Sequence, residues 1–306
     1  MLNVDRLAAL HAVASQGSIQ AAAEALHVTT SAVSQQIAKL ERETDQLLLE
    51  RVGRGVRLTD AGALLVAHTR EVISLLERAE ADLEAHRDTV SGHIVMAAFP
   101  TAARGLAPRA LALLRDEHPQ LRVELRELEP LDAVPQLMRR ELDLVIAQDW
   151  FNNPLALPDG LEKEALFDDL ADVAVPARHR LARRATIKLE DLADEQWITW
   201  PVRSICHDWL LHTLRSAGHE PRITHTAAEH DTQLALVAAG LGMAIIPRLG
   251  RGTVPEGVKM IAATPILHRK VHVIWRSDAA RRAAIRVAID GLQCAVKAMG
   301  RRRGRN

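Results

Sequence analysis

Apolar residues in the first part of the chain recur at helical spacing. Val4, Leu7, Leu10 and Val13 predict an amphipathic helix over residues 1–17. Ala21, Ala22, Ala25 and Leu26 predict a second helix, with Ser18 placed to cap its start. Val33, Ile37 and Leu40 stand at i, i+4 and i+7 and predict a third. Only His27, Val28, Thr29 and Thr30 separate the second from the third, which leaves room for a tight turn and little else. Two helices joined in this way form a helix-turn-helix. The outer face of the third helix carries Ser31, Ser34 and Gln35, short or planar side chains able to reach phosphates and base edges from a major groove. The run from Arg51 to Thr59 then sets two glycines among Arg51, Arg54 and Arg57 with no acid between them, the pattern of a hairpin wing.

Beyond Gly62 the chain to Asp88 has neither Gly nor Pro. Leu65, Val72, Leu76, Ala79 and Leu83 follow one another at seven, four, three and four, a coiled-coil seam. A lone helix cannot bury such a stripe, so residues 61–90 are expected to form a dimerisation helix and hinge. Packing of the stripe on its own domain is the competing arrangement.

From about residue 91 strands and helices alternate. Strands are predicted at Ile94–Phe99, Val123–Leu128 and Leu142–Ala147, with helices at Ala102–His118 and Leu131–Arg140 between them. This order predicts a parallel sheet. A second set follows, with strands at Asp172–Val175, Trp197–Trp200, Arg222–Thr226 and Met243–Ile246. Its helices fall at Cys206–Ala217 and Asp231–Ala239. Lys270–Trp275 alternates and is expected to return to the first sheet, before a last helix over Ala279–Met299. The expected fold is therefore an all-α winged helix-turn-helix domain (1–60) and, past the linker, a two-lobed α/β domain of the periplasmic-binding type (91–300). Lobe I takes about 91–160 and 266–300, lobe II about 161–265. Residues 301–306 form a basic tail, expected to be a solvated, disordered end.

Composition narrows the function classes. Lys plus Arg and Asp plus Glu both number 39, so no global field draws the chain to nucleic acid or membrane. Residues 1–60 hold six basic side chains against seven acids, so placement and not summed charge must carry any DNA reading. There is no Tyr and little Phe, so the cores are aliphatic. The N-terminus lacks the layout of a signal peptide and no stretch has the length of a membrane span, which gives a cytoplasmic expectation and no membrane partner. Cys206 and Cys294 form no metal spacing and are expected to be reduced.

In an open α/β sheet, ligands bind beyond the strand carboxyl ends, near helix N-termini. Four turns qualify, and with them Pro100, Thr101 and Ala102, then Gln148, then Trp200, Val202 and Arg203, then His230. Thr101, Gln148 and Arg203 suit a carboxylate or hydroxyl; Trp200 offers an apolar wall. Each also has an ordinary structural role, as cap, surface charge or core. No GxSxG, HExxH or P-loop occurs, so no catalytic residue, metal or cofactor is expected. His207-Asp208 and His230-Asp231 are chance-level acid/base pairs, and a metal held by His225 and His230 is a minor alternative. Cys206 opens a helix, where a thiolate is favoured, and a thiol switch with Cys294 is a further alternative.

The Ala21-Ala22-Ala23 run, Leu26, Ser31-Ala32-Val33-Ser34, Gln36-Ile37, Leu40-Glu41, Leu48-Leu49-Glu50-Arg51 and Leu58-Thr59-Asp60-Ala61-Gly62 resemble the LysR-type transcriptional regulators. Val237 to Pro247 resembles that family's signature in the effector-binding domain. Two positions depart from the family pattern: Asp45 stands where a glycine usually ends the helix, and Gln35 where arginine is common. The resemblance implies a ligand-responsive regulator, a dimer able to pair into tetramers, bound to double-stranded DNA at a pseudo-palindromic site. DNA contacts are expected from Ser18, Thr29, Thr30, Ser31, Ser34 and Gln35 and from wing residues Arg51, Arg54 and Arg57. A small effector, which could be an anion, would lie between the lobes. An enzyme or transport-type binding protein with a merely oligomerising N-terminus is the alternative class.

Overall fold

The computed structural model describes residues 2–53, 55–85 and 90–303. The chain divides into two compact units, residues 1–86 and 87–306.

In the first unit, α1 (Val4–Gln16), α2 (Ile19–Ala25) and α3 (Thr30–Thr44) are followed by a hairpin of β1 (Leu49–Val52) and β2 (Gly55–Leu58), then the long α4 (Asp60–Ala85). Each of the first three helices starts at a polar cap. Asn3, Ser18 and Thr29 accept from the N–H groups of Arg6, Ala21 and Ala32 at 3.2, 3.1 and 3.1 Å; such a cap contributes about 1 kcal/mol. Leu7, Leu10 and Val13 pack with Ala22, Ala23, Val33, Ile37 and Leu40; of the positions whose spacing predicts the helices, Val4, Ala25 and Leu26 are instead exposed, and α2 buries Ala23 in place of Ala25. Asp45 ends α3 in the left-handed conformation, at φ 51° and ψ 36°, and its N–H reaches Glu41 O. The aspartate thus performs the turn that glycine performs elsewhere.

The second unit begins with β3 (Gly92–Ala98), α5 (Pro100–Gly105), α6 (Ala107–Glu117), β4 (Leu121–Glu127), α7 (Pro130–Met138) and β5 (Leu144–Trp150). It continues through β6 (Leu161–Pro176), β7 (Thr186–Lys188), β8 (Gln196–Thr199), α8 (Ile205–Ser216), β9 (Arg222–Thr226), α9 (His230–Ala238), β10 (Ala244–Pro247), β11 (Val258–Arg276) and α10 (Ala283–Arg303). The main sheet runs β10-β6-β11-β5-β3-β4, with β7 on β11 and a separate β8-β9 pair. β3 is parallel to β4 and β5, as the β-α-β order predicts. β11 returns antiparallel to β5, Trp275 opposite Leu144, and also pairs along β6.

Three expectations are corrected. The helix predicted over Ala102–His118 breaks at Leu106 (φ −120°) into α5 and α6. Pro108 lacks the N–H a continuous helix would need there and disfavours helical backbone before it. The strands predicted at Asp172–Val175 and Lys270–Trp275 are the ends of much longer ones, 16 and 19 residues. Charged positions in the first half of β6, Glu162 to Glu164 and Asp168, hide its strand pattern, and Pro265 interrupts that of β11. α10 starts at Ala283 and extends through Arg303, so the first three residues of the supposed tail are helical; 304–306 lie outside the described residues.

A helix face with a wing, and a buried arginine between two lobes

α3 buries Val33, Ile37 and Leu40 and turns Ser31, Ser34, Gln35 and Lys39 to solvent. Ser34 Oγ donates to Thr30 O at 2.9 Å. Thr29 and Thr30 are exposed at the helix start, while Ser18 is half-buried and holds α2. Glu50 lies opposite Arg57 across the hairpin, and Arg57 Nε donates to it at 2.8 Å. Arg51 is exposed; Arg54 lies outside the described residues. The sequence shows Glu41 as a negative charge and as part of the Leu40-Glu41 pair, with no sign of its partners. Its Oε1 accepts from the N–H groups of Leu48 and Leu49 at 2.9 and 3.2 Å, anchoring the wing to α3. Glu43 pairs with Arg6. Three of the seven acids that weigh against DNA are thus engaged inside the unit.

In the second unit the polar residues converge on Arg269 of β11, which is 1% exposed. Its guanidinium donates to Asp169 at 3.0 Å, to Thr101 Oγ1 at 2.6 Å and to Gln148 Oε1. Its carbon lies 5.0 Å from the Phe99 ring centroid. Asp169 also accepts from Leu249 N–H at 2.8 Å, so the buried charge pair has further partners, as such pairs require. Gln148 Nε2 and Trp150 Nε1 both point at Cys206 Sγ, at 3.4 and 3.5 Å. Burial pushes the Cys206 thiol up to about 11 against the pull of Arg269, so the helix start does not make it a thiolate.

His230, at the start of α9, meets Trp200 edge-on at 5.6 Å. Burial, aided by Arg269, Arg104 and Arg251, lowers it to about 3, and its Nε2 has no hydrogen-bond partner among the described residues. Burial raises Glu129, with Arg269 opposing. Burial also raises Asp172, but bonds from Arg248 and Arg251 outweigh it and leave the carboxyl below its usual range.

Of the residues the sequence nominates, Thr101 and Gln148 meet at Arg269, and Trp200 and His230 meet each other. Pro100 opens α5. Ala102 instead faces the lobe I core and its N–H is taken by Phe99 O at 2.9 Å. Val202 and Arg203 are exposed on the loop before α8, Arg203 at φ 71°. His225 and His230 form no metal cluster: among the described residues no group of three or more His, Cys, Asp or Glu is placed to hold an ion.

Residues 87–297 match the LysR substrate binding domain, and residues 4–63 match the bacterial regulatory helix-turn-helix protein, lysR family. The chain belongs to the LysR family of transcriptional regulators. This LysR-type regulator is 29% identical over 308 residues to the DNA-binding transcriptional dual regulator OxyR of Escherichia coli, across 95% of this chain and 97% of that one. It is 28% identical over 247 residues to the transcriptional dual regulator GltC of Bacillus subtilis, covering 80% and 81%. A full-length OxyR variant from Pseudomonas aeruginosa shares its fold, with TM-score 0.72 and 24% identity over 96% of this chain and 98% of that one. Families and relatives alike are regulators, not enzymes. The protein is a ligand-responsive, DNA-binding transcriptional regulator with a substrate-binding domain, and regulators of this type oligomerise. No described helix is long and apolar enough to cross a membrane.

Proposed function

We propose that this regulator acts in the cytoplasm as a homodimer, able to pair into a tetramer, whose two α3 helices enter successive major grooves of a pseudo-palindromic site. The observation that carries the reading is the division of α3: an apolar face locked into the core and a face of Ser31, Ser34 and Gln35 left open beside the wing. Thr30 and Arg51 serve the phosphates, and Arg54 the minor groove. The effector is a small anion between the lobes. Arg248 and Arg251 share a single carboxylate, Asp172, which leaves a positive charge in excess there, His230 stays neutral, and Thr101 and Gln148 are held in place by Arg269. Such a ligand, bound better by one lobe arrangement than the other, biases that arrangement. A thiol switch at Cys206 has less support, since the thiol is buried and protonated.

The test is binding to the regulator's own promoter duplex. Ser34→Ala lowers the ratio of cognate to scrambled affinity, while Arg54→Ala weakens both and reduces the salt slope by about one. Equal affinities for the parent and both variants would overturn the reading. A thermal-shift screen of carboxylates, repeated on Thr101→Val, identifies the effector class.

A further inference from the structure

Apart from the Arg269 cluster, and lined by none of its residues, lies a cavity of about 380 Å³. That volume falls within the ~300–1,000 Å³ typical of small-molecule sites. Its floor is Trp209 of α8, and its walls include Phe151, Ile266 and Leu267. The register of β11 on β6 breaks between Ala262 and Leu267, which lifts Pro265 and Ile266 out of the ladder and builds one wall. Phe151 and Ile266, 81% and 64% exposed, stand at the mouth, and the His268 ring sits 5.2 Å from that of Phe151. Thr213, which accepts from Asn152 at 3.1 Å, supplies a polar point. None of the described residues lining the cavity is Asp, Glu, Lys or Arg, in a chain that is 25% charged. An ion would lose its hydration there with no counter-charge, whereas a flat uncharged ring gains apolar contact with Phe151, Ile266 and Leu267 and with the part of Trp209 that lines the cavity.

The floor is also the back of the first site. Trp209 stacks on Trp150 with ring centroids 3.6 Å apart and planes 12° from parallel. Trp150 in turn donates to Cys206, which Gln148 also contacts, and Gln148 bonds to Arg269. We propose that this cavity is a second ligand site, for a small uncharged aromatic molecule, which reports to the Arg269 cluster through the Trp209–Trp150 stack. A molecule seated on Trp209 restricts the stack, and Trp150 carries that restriction to the sulfur between the two sites.

Indole is the probe, with indole-3-carboxylate as its charged counterpart, titrated into the full-length protein labelled with 5-fluorotryptophan. The expected result is a saturable shift of the Trp209 and Trp150 fluorine resonances with one indole per chain, and binding of the carboxylate weaker by more than about tenfold. Ser216→Phe, an exposed lining position, fills the cavity and removes the shifts, and Ile266→Glu weakens them, with the thermal midpoint unchanged in both. The proposal is overturned by the absence of any shift, by shifts confined to Trp200, or by indole affinity unaltered in Ser216→Phe. It is also overturned if indole fails to bind and Ile266→Glu dissociates the oligomer, since a second copy of the chain would then cover the cavity.

Discussion

His230 gives the most direct pH signature of any single side chain here. Unfolded, it takes up a proton near 6.5; folded, only near 3. Between those values the unfolded chain binds more protons, so stability falls as the pH drops, by at most about 1.4 kcal/mol per pH unit. His230→Gln removes that slope: urea unfolding at about pH 7 and about pH 5 is expected to show a smaller loss in the variant than in the parent. Equal losses would mean that the folded protein protonates His230. Cys206 makes a second prediction. A thiol held to about 11 and buried reacts slowly with maleimide at neutral pH, so labelling of the native protein followed by peptide mapping should find the exposed Cys294 modified first. Thr101 and Gln148 were legible because strand ends in an α/β order announce ligand turns. Arg269 was not, because it sits at the edge of an alternating strand and its partners, Asp169 and Thr101, lie 100 and 168 residues away. One step along α5 turns the side chain from the cluster to the core, where Ala102 packs.

Among the elements, α4 shows the clearest unmet demand. Near its start Val66 is buried in the first unit's core and Leu65 packs against it. Further along, Val72, Leu75, Leu76 and Leu83 are exposed, Leu75 at 62% and Leu83 at 69%. Covering each such leucine contributes about 1.5–3 kcal/mol, more than a soluble helix leaves unused along a whole stripe. Leu76→Glu combined with Leu83→Glu is therefore expected to shift the protein toward monomer in sedimentation velocity; an unchanged sedimentation coefficient would place the dimer contact elsewhere. The helices of the first unit could be read in the sequence because spacing, cap and partner face all agree there. The full length of β6 could not, because its first half is solvated and carries charges instead of alternating apolar residues, and that of β11 could not, because Pro265 interrupts an otherwise apolar run.

For the whole molecule, the shared strands matter most. β6 and β11 run alongside each other over most of their lengths, so a single main sheet runs through the second unit. The second unit is expected to unfold as a single cooperative transition, with calorimetric and van't Hoff enthalpies in agreement. Two resolved transitions within residues 87–306 would contradict that. Net charge carried little information at this scale: acids such as Glu41, Glu43 and Glu50 are spent on internal bonds, which a sum over the sequence cannot register.

Gly62 joins wing and long helix without slack. A Cβ at this position would collide with the carbonyl oxygen of Leu48, so main chain rests directly on main chain. Thr59 completes the joint, donating to Leu47 O at 2.7 Å and accepting from Gly62 N–H at 3.0 Å. Gly62→Ala is expected to lower stability by about 1–3 kcal/mol in chemical unfolding, the cost of overpacking a tight contact. Such a joint behaves like a gear meshed without backlash. A rotation of the long helix, from whatever source, reaches the reading head with little loss, because backbone meets backbone there and the Thr59 hydroxyl is bonded to both sides.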